Sequence, residues 1–374
     1  MQVLYRKYRP RSFEEVTGQD HVVRTLKGAL LSGRIGHAYL FSGPRGVGKT
    51  TMARLLAKAL NCVDYGKVKD QIPCDKCFSC NEVTEGRSLD IIEIDGASNR
   101  GIDEIRSLKE SAQVAASGGK YKVFIIDEVH MLTPPAFSAL LKILEEPPSH
   151  VIFILATTDV HKIPQTILSR VQRFEYKKIT PLQIAEKLKR IAKFENINLA
   201  DGVALTIAHN SEGALRDAES ALTKLISFSS PVVSGNKSSQ ISVDDVRSIL
   251  GIVPEDMHTS MLEMLINSNG PACLELAGQL YDSGISIDTF LKQFIVYLRS
   301  ALLLKVNPQF SKELDIFDPG SSSRLEHILQ RITGAKLVKI IQIFTTAKQE
   351  TKTAPLPQLP LELAILEIVS QTNG

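Results

Sequence analysis

Nine consecutive residues, Gly43-Pro44-Arg45-Gly46-Val47-Gly48-Lys49-Thr50-Thr51, constrain this chain more than any others, because they match the G-x-x-x-x-G-K-[ST] phosphate-binding loop. Such a loop needs a strand leading in and a helix leading out. Ala38–Ser42 reads as a short buried strand, and Thr50–Asn61 as a helix with Met52, Leu55, Leu56, Ala59 and Leu60 on one face. The backbone must curl with its N–H groups pointing inward, so a Cβ at Gly46 or Gly48 is expected to obstruct it. Lys49 is placed to neutralise β- and γ-phosphates, the Thr50 hydroxyl to ligate Mg²⁺, and the helix N-terminus to face the anion.

A second half of the same site lies downstream. Lys120–Ile126 reads as a buried strand running into Asp127-Glu128. In a parallel sheet covered on both faces the strand's carboxyl end opens at the ligand crevice, so both carboxylates arrive beside the phosphates. Asp127 then suits the Mg²⁺ shell, and Glu128 suits polarisation of an attacking water. Val151–Ala156 is a further buried strand that delivers Thr157-Thr158-Asp159 to the same edge, where the Thr158 hydroxyl either reports the γ-phosphate or caps the strand. Leu89–Ile94 reads as another strand, followed by a helix from Ile102 that Ser98 or Asn99 can cap. Arg100, Arg106 and Lys109 near that helix start suit either phosphate contact or an ordinary solvated face. Thr133 is expected to cap a helix begun by Pro134-Pro135 and ended by Glu145-Glu146-Pro147-Pro148. Arg173–Tyr176 reads as a last strand, and Arg170 just before it as a surface arginine.

Four of the five cysteines fall within nineteen positions, Cys62 and then Cys74-Asp75-Lys76-Cys77-Phe78-Ser79-Cys80. Four soft thiolates at C-x-x-C spacing suffice for closed, structural tetrahedral coordination of Zn²⁺. Free loop cysteines or a redox C-x-x-C are the alternatives. Cys273 sits alone in an apolar helix and reads as core. The net charge of +3, from 44 basic and 41 acidic residues, makes no whole-chain case for nucleic-acid binding and leaves only local patches such as Arg6, Lys7, Arg9 and Arg11. Those charges have no apolar stretch behind them, as a secretory signal requires, and the longest apolar run, Val151–Ala156, is too short to span a bilayer. A cytoplasmic location with reduced cysteines is therefore expected. The segment through Tyr8, Arg9 and Val16, followed by a helix over Asp20–Leu31, either wraps a nucleotide base or packs as a basic surface arm.

With 43% hydrophobic residues in 374, the chain can bury a sizeable core, and its length suggests two or three domains. From Ile179 onward the periodicity is helical. Helices over Pro181–Glu195, Ala200–Asn210 and Gly213–Ile226 form a small unit whose third member carries Arg216 in its first turn. Cations are disfavoured there, so Arg216 serves either a phosphate or an ion pair with Asp217 or Glu219. Ser227–Gln240 reads as a linker. Beyond it, helices near Glu255–Ser268, Pro271–Ser283, Ile287–Lys305, Arg324–Ile332 and Lys336–Glu350 hold no catalytic constellation, and Ile295–Leu304 is apolar nearly all round.

Taken together, Tyr8-Arg9-Pro10 with Phe13 and Val16-x-Gly18-Gln19, the phosphate loop, the four-cysteine insertion, Asp127–Leu132, Leu140-Leu141-Lys142 to Pro148, Ala156–Asp159 and Gly213–Ala218 resemble the gamma/tau subunits of the bacterial DNA polymerase III clamp loader, a branch of the AAA+ ATPases. The likeness runs from residue 1 to about 370 and is densest up to Ser227. It implies an α/β fold: an AAA+ P-loop parallel-sheet domain over 1–178 with a zinc-binding insertion at about 62–80, a three-helix lid over 179–241, and an all-α collar over 242–374. It implies ATP, Mg²⁺ and Zn²⁺ as cofactors. The implied partners are delta-like and delta-prime-like subunits in a pentameric ring, the sliding clamp and primed DNA, with single-stranded-DNA-binding protein as a further candidate and no membrane. It makes Tyr8, Arg9 and Val16 part of the nucleotide site, Thr158 a sensor, Arg216 the cis arginine of the lid, and Arg100 and Arg106 DNA-facing. Ser169-Arg170 occupies the place of the family's Ser-Arg-Cys motif, with Val171 in place of Cys, which makes Arg170 a finger reaching a neighbour's ATP. The implied role is an ATP-hydrolysing motor that opens and loads the clamp. A non-hydrolysing scaffold subunit and a replication factor C-like small subunit are the alternatives. The end soon after Pro360–Ala364 fits a short gamma-like form or a truncated long one.

Overall fold

A computed structural model describes residues 3–64, 72–228, 240–307 and 319–370. The chain forms two compact units, Met1–Val243 and Asp244–Gly374.

The first unit is built on five parallel strands, β1 (Ala38–Ser42), β2 (Ile91–Asp95), β3 (Lys122–Asp127), β4 (Val151–Thr157) and β5 (Gln172–Glu175), in the order β2-β3-β4-β1-β5. Every residue of β1 and β4 is buried, as continuous apolar runs require when helices cover both faces. The period of two then divides each strand between two cores. Tyr39, Phe41, Val123, Ile125, Ile152 and Ile154 face α2 (Asp20–Ser32) and α3 (Lys49–Leu60). Leu40, Phe124, Ile126, Phe153 and Leu155 face α5 (Ile102–Gln113) and α6 (Pro134–Glu145). The order sets β4 between the strand that feeds the phosphate loop and the strand that ends in Asp127. Pairing Ser42 with Thr157 and Asp95 with Asp127 brings all these carboxyl ends to one edge.

The short α1 (Leu4–Lys7) precedes the sheet, α4 (Phe78–Glu85) follows the cysteine segment, and α7 (Gln165–Leu168) leads into β5. Three helices complete the unit, α8 (Pro181–Phe194), α9 (Val203–Asn210) and α10 (Leu215–Phe228). A reciprocal Thr180–Gln183 capping box with Pro181 in the first turn starts α8.

Four local readings are corrected. The β2 strand begins at Ile91, because the Asp90 carboxylate is buried and accepts the N–H groups of Ser117, Gly118 and Gly119 at 2.6, 2.9 and 2.6 Å, which leaves Leu89 outside the strand and 77% exposed. Neither Ser98 nor Asn99 caps α5. Both side chains turn back onto Asp95, and Gly101 holds the N-cap position. Thr133 occupies the N-cap of α6, but its hydroxyl makes no capping bond. The α9 helix starts at Val203 instead of Ala200, since Leu199 bridges Ile241 and the Ala200 N–H donates to the Ile241 carbonyl. Most of the linker segment, 229–239, lies outside the described residues, and Ser227 and Phe228 close α10.

The second unit is helical: α11 (Val243–Leu250), α12 (Glu255–Ile266), α13 (Gly270–Asp282), α14 (Ile287–Val306), α15 (Pro319–Gln330), α16 (Gly334–Glu350) and α17 (Leu359–Ser370). Its core gathers Leu262, Cys273, Phe290, Phe294, Leu298, Leu337, Phe344 and Ile365, all fully buried. Two of these helices, α11 and α17, are additions to the sequence reading. Among the described residues no helix is long and apolar enough to cross a membrane.

Candidate nucleotide and metal sites

The carboxyl edge of the sheet opens into a cleft of about 800 Å³. Among the described residues nine basic side chains line it against four acidic ones, a balance that favours a polyanion. The phosphate loop forms its floor from Arg45 to Thr51. Gly46 has φ +78°, and a Cβ there would meet the Ala214 side chain at 2.9 Å, so the obstruction comes from the segment before α10. Gly48 has open space around its Cβ position. Its requirement is conformational, with φ +97° at the N-cap of α3. Gly43 and Pro44, the first two residues of the loop, hold the Lys49 ammonium through their carbonyls, at 2.8 and 2.7 Å. Burial lowers the pKa of Lys49, while the Glu128 and Asp127 carboxylates oppose that loss.

The Thr50 hydroxyl donates to Asp127 Oδ2 at 2.7 Å, which sets a hydroxyl and a carboxylate side by side at the start of α3. Two hard oxygen donors in this arrangement fit Mg²⁺. Glu128 follows at φ +47°, and its Oε2 accepts the Thr158 hydroxyl at 2.9 Å and lies 3.3 Å from His130 Nδ1. His130 Nδ1 is in turn 3.1 Å from the Thr157 hydroxyl. Thr158 therefore reaches the cleft through Glu128. His130 belongs to this network although the sequence reading gave it no role.

Arg216 enters from the opposite wall. Its N–H donates to the Gly46 carbonyl at 3.3 Å, which locks the start of α10 onto the loop, and its guanidinium lies 4.8 Å from the centre of the Tyr5 ring. Among the described residues it pairs with neither Asp217 nor Glu219. Arg6 and Arg216 together hold the Tyr5 hydroxyl below its ordinary pKa. Arg9 and Val16 line the cleft, but Tyr8 does not. Its ring stacks 6.1 Å from that of Phe194, and its hydroxyl donates to Glu195 at 2.7 Å, because α8 offers an aromatic face and a carboxylate that the arm's own sequence does not reveal.

Three expected residues lie elsewhere. Arg170 sits on a separate surface hollow with Gly36, His37 and Glu145, and donates to Glu145 at 2.8 Å. Val171 packs partly buried against the α6 side of the sheet. Arg106 is exposed and pairs with Asp103 one turn away, and Arg100 is exposed with its Nε–H on the Ala97 carbonyl.

The four cysteines converge. The sulfurs of Cys62, Cys74, Cys77 and Cys80 all lie within 4.8 Å of one another, with Cys74 and Cys80 at 3.9 Å. Tetrahedral thiolates about 2.3 Å from a zinc ion are about 3.8 Å apart, so the set fits Zn²⁺ without rearrangement of the chain. Backbone N–H groups of Cys74, Cys77 and Cys80 each point at the preceding cysteine's sulfur, at 3.4 to 3.5 Å. Burial pushes the Cys77 thiol up, but N–H donation from Cys80 and Val63 outweighs it and brings the group down to about 7. Lys58, buried on α3, pairs with Asp75 inside this loop.

A family model described as the DNA polymerase III delta subunit matches residues 18–180, and one described as DNA polymerase III subunits gamma and tau domain III matches residues 241–373. The DNA polymerase III subunit tau of Bacillus subtilis is 41% identical over 372 residues, covering 100% of this chain and 64% of that protein. The chain thus spans somewhat less than two thirds of that relative. The DNA polymerase III subunit gamma of Buchnera aphidicola (subsp. Acyrthosiphon pisum) is 35% identical over 369 residues, covering 99% of both chains. Among solved structures, the Thermotoga maritima RuvB Holliday junction branch migration motor aligns with a TM-score of 0.49 and 22% identity over 69% of this chain and 79% of that one. By its end-to-end match to a gamma subunit, the chain belongs to the gamma/tau subunit family of DNA polymerase III.

Proposed function

We propose that this chain is an ATP-hydrolysing motor subunit of a bacterial clamp loader, acting in the cytoplasm to open a sliding clamp and place it on primed DNA. One observation carries the proposal. Lys49, Thr50, Asp127 and Glu128 converge on one cleft, with Glu128 aimed by Thr158 and His130. A scaffold subunit that only binds nucleotide has no need of an oriented Glu128.

In this reading Lys49 and the loop N–H groups hold the β- and γ-phosphates, and Arg216 holds the γ-phosphate from the lid. Thr50 and Asp127 would hold Mg²⁺, which when bound neutralises phosphate charge. Glu128 takes a proton from the attacking water as its oxygen bonds to the γ-phosphorus and ADP departs. Cys62, Cys74, Cys77 and Cys80 would hold Zn²⁺ as a closed structural site. The lid over 179–241 and the collar over 242–374 are assigned the coupling and ring-forming roles, with delta-like and delta-prime-like subunits as neighbours. Arg100 and Arg106 are assigned to the DNA-facing side. Arg170 is assigned to the ATP of the adjacent subunit, where a phosphate would compete with Glu145, Thr166 and Ser169 for its guanidinium.

The test is steady-state phosphate release by the reconstituted loader, with and without clamp and primed DNA. Stimulation by both is expected, and Arg170→Ala should lower the stimulated rate about 10³-fold while leaving nucleotide affinity intact. A rate indifferent to clamp, DNA and Arg170→Ala overturns the motor assignment.

A further inference from the structure

Glu219 has no part in the hydrolytic arrangement, yet it lines the same cleft with only 6% of its surface exposed. Among the described residues its carboxyl makes no hydrogen bond or ion pair, and Lys187 on α8 acts on it only as a longer-range attraction. Arg216, one turn earlier on α10, lies over the Tyr5 ring and does not pair with Glu219. A buried, unpaired carboxyl is costly to the fold by itself, which asks what else it meets.

Its place along the cleft answers. The Arg216 N–H on the Gly46 carbonyl fixes the start of α10 at the phosphate end. Glu219 lies three residues further, about 4.5 Å along the helix axis. One more turn on, the Thr223 hydroxyl receives the Leu4 N–H, which pins the arm against α10. Val16, Ile179 and Leu215 line the same cleft as Glu219 and add apolar surface to it. Apolar side chains beside a placed polar group suit a flat heterocycle.

We propose that Glu219 is a specificity-determining residue that reads the hydrogen-bonding edge of the adenine base in this cleft, a role that rests on the nucleotide reading of the site. Adenine presents a ring-nitrogen acceptor, N7, beside its N6 amino donor, where guanine presents two acceptors. A protonated carboxyl presents an O–H donor beside a carbonyl acceptor, the complement of adenine. Burial pushes the Glu219 carboxyl up to about 7, with Lys187 pulling against it, so the acid form is well populated at neutral pH.

Equilibrium titration at pH 7 with ATP, ITP and 2′-deoxyATP tests this on the full chain, using wild type, Glu219→Gln and Glu219→Leu. Glutamine keeps a donor beside an acceptor, so Glu219→Gln should hold the ATP preference over ITP. Glu219→Leu lacks both and should weaken ATP about tenfold with ITP little changed, which collapses the discrimination. Equal weakening of ATP and ITP, or no change in either, overturns the proposal, and so does a loss that falls on ATP but spares 2′-deoxyATP, since that assigns Glu219 to the ribose. Wild type that binds ATP and ITP equally removes the base reading alone. Wild type that binds neither removes the nucleotide site and this proposal with it.

Discussion

The sheet unit and the helical unit both bury polar side chains, but to different ends. In the sheet unit they pin turns or face the cleft. Asn61 exchanges two bonds with the backbone of Tyr121, Gln19 exchanges two with Lys177, Asp90 gathers three N–H groups, and Lys49 and Glu219 line the nucleotide site. In the helical unit they are sealed into an aromatic core. The His258 ring lies 5.5 to 5.8 Å from those of Phe290, Tyr297 and Phe294, and the neighbouring Thr259 hydroxyl is satisfied by Tyr297 at 2.9 Å. A polar group that opens on a cleft can act on a ligand, whereas one closed among aromatic rings can only set cohesion. The first unit is thus where side-chain loss should appear as lost chemistry, and the second where it should appear as lost stability.

The largest effects should separate the units cleanly. Glu128→Gln keeps the shape and the contact with Thr158 but removes the base. Hydrolysis should fall by about 10²- to 10⁴-fold in single-turnover phosphate release, with nucleotide affinity and the denaturation midpoint little changed. Phe294→Ala should do the reverse. It empties a fully buried ring packed edge-on against Phe344 at 5.1 Å, and should cost about 3–5 kcal/mol in chemical denaturation while the folded protein keeps its nucleotide affinity. An altered nucleotide affinity in folded Phe294→Ala protein would break the division of labour.

How far the sequence reveals these roles depends on whether the partners are local. The phosphate loop, its strand and its helix are contiguous, so Lys49 and Thr50 are legible at once. The strands β1, β3 and β4 are bounded to within about two residues by runs that are apolar because both faces are covered. The strand order is not legible, and with it goes the bond of Thr158 on one strand end to Glu128 on another, and the part played by His130. Glu219 reads as one more polar residue beside Ala218 and Leu222, because its burial in the cleft is set by the fold and not by its neighbours in sequence. Tyr8 reads as a nucleotide contact and is claimed by Phe194 and Glu195 from a helix almost 190 residues away. The helix α17 was obscured by prolines at 355, 357 and 360 that look like irregular chain but set only its approach and first turn.

Acid and base should pull the two units apart. Burial lowers His258 to about 4 from an ordinary 6.5. An unfolded chain binds that proton first, so the stability His258 permits is full above pH 6.5 and is lost as pH falls toward 4, by roughly 3 kcal/mol. Glu219 is raised to about 7 from 4.5, so its sign is opposite. Its burial is best tolerated below pH 4.5, and stability is lost as pH rises through 7, by a comparable amount. Denaturation of the full chain from pH 4 to 8 should show His258→Leu gaining on wild type as pH falls and Glu219→Gln gaining as it rises. Parallel profiles for both variants would show that neither group is held as described.

The smallest effect concerns Lys58, which belongs to the sheet unit but touches no catalytic group. Its ammonium pairs with Asp75 between the zinc-type cysteines, and its Nζ lies 3.5 Å from the Arg11 carbonyl on the arm. The lysine is 4% exposed and the aspartate 32%, so removing the cation strands a carboxylate that water can still partly reach. Lys58→Met preserves the apolar stem and should cost about 1 kcal/mol in denaturation midpoint, with at most a two- to threefold change in nucleotide affinity. The metal content of purified protein should stay unchanged, since the four sulfurs are held by their own backbone turns. A loss of several kcal/mol, or loss of bound metal, would mean that α3 and the cysteine loop depend on each other through this pair, and that the sheet unit too contains a polar contact whose work is cohesion.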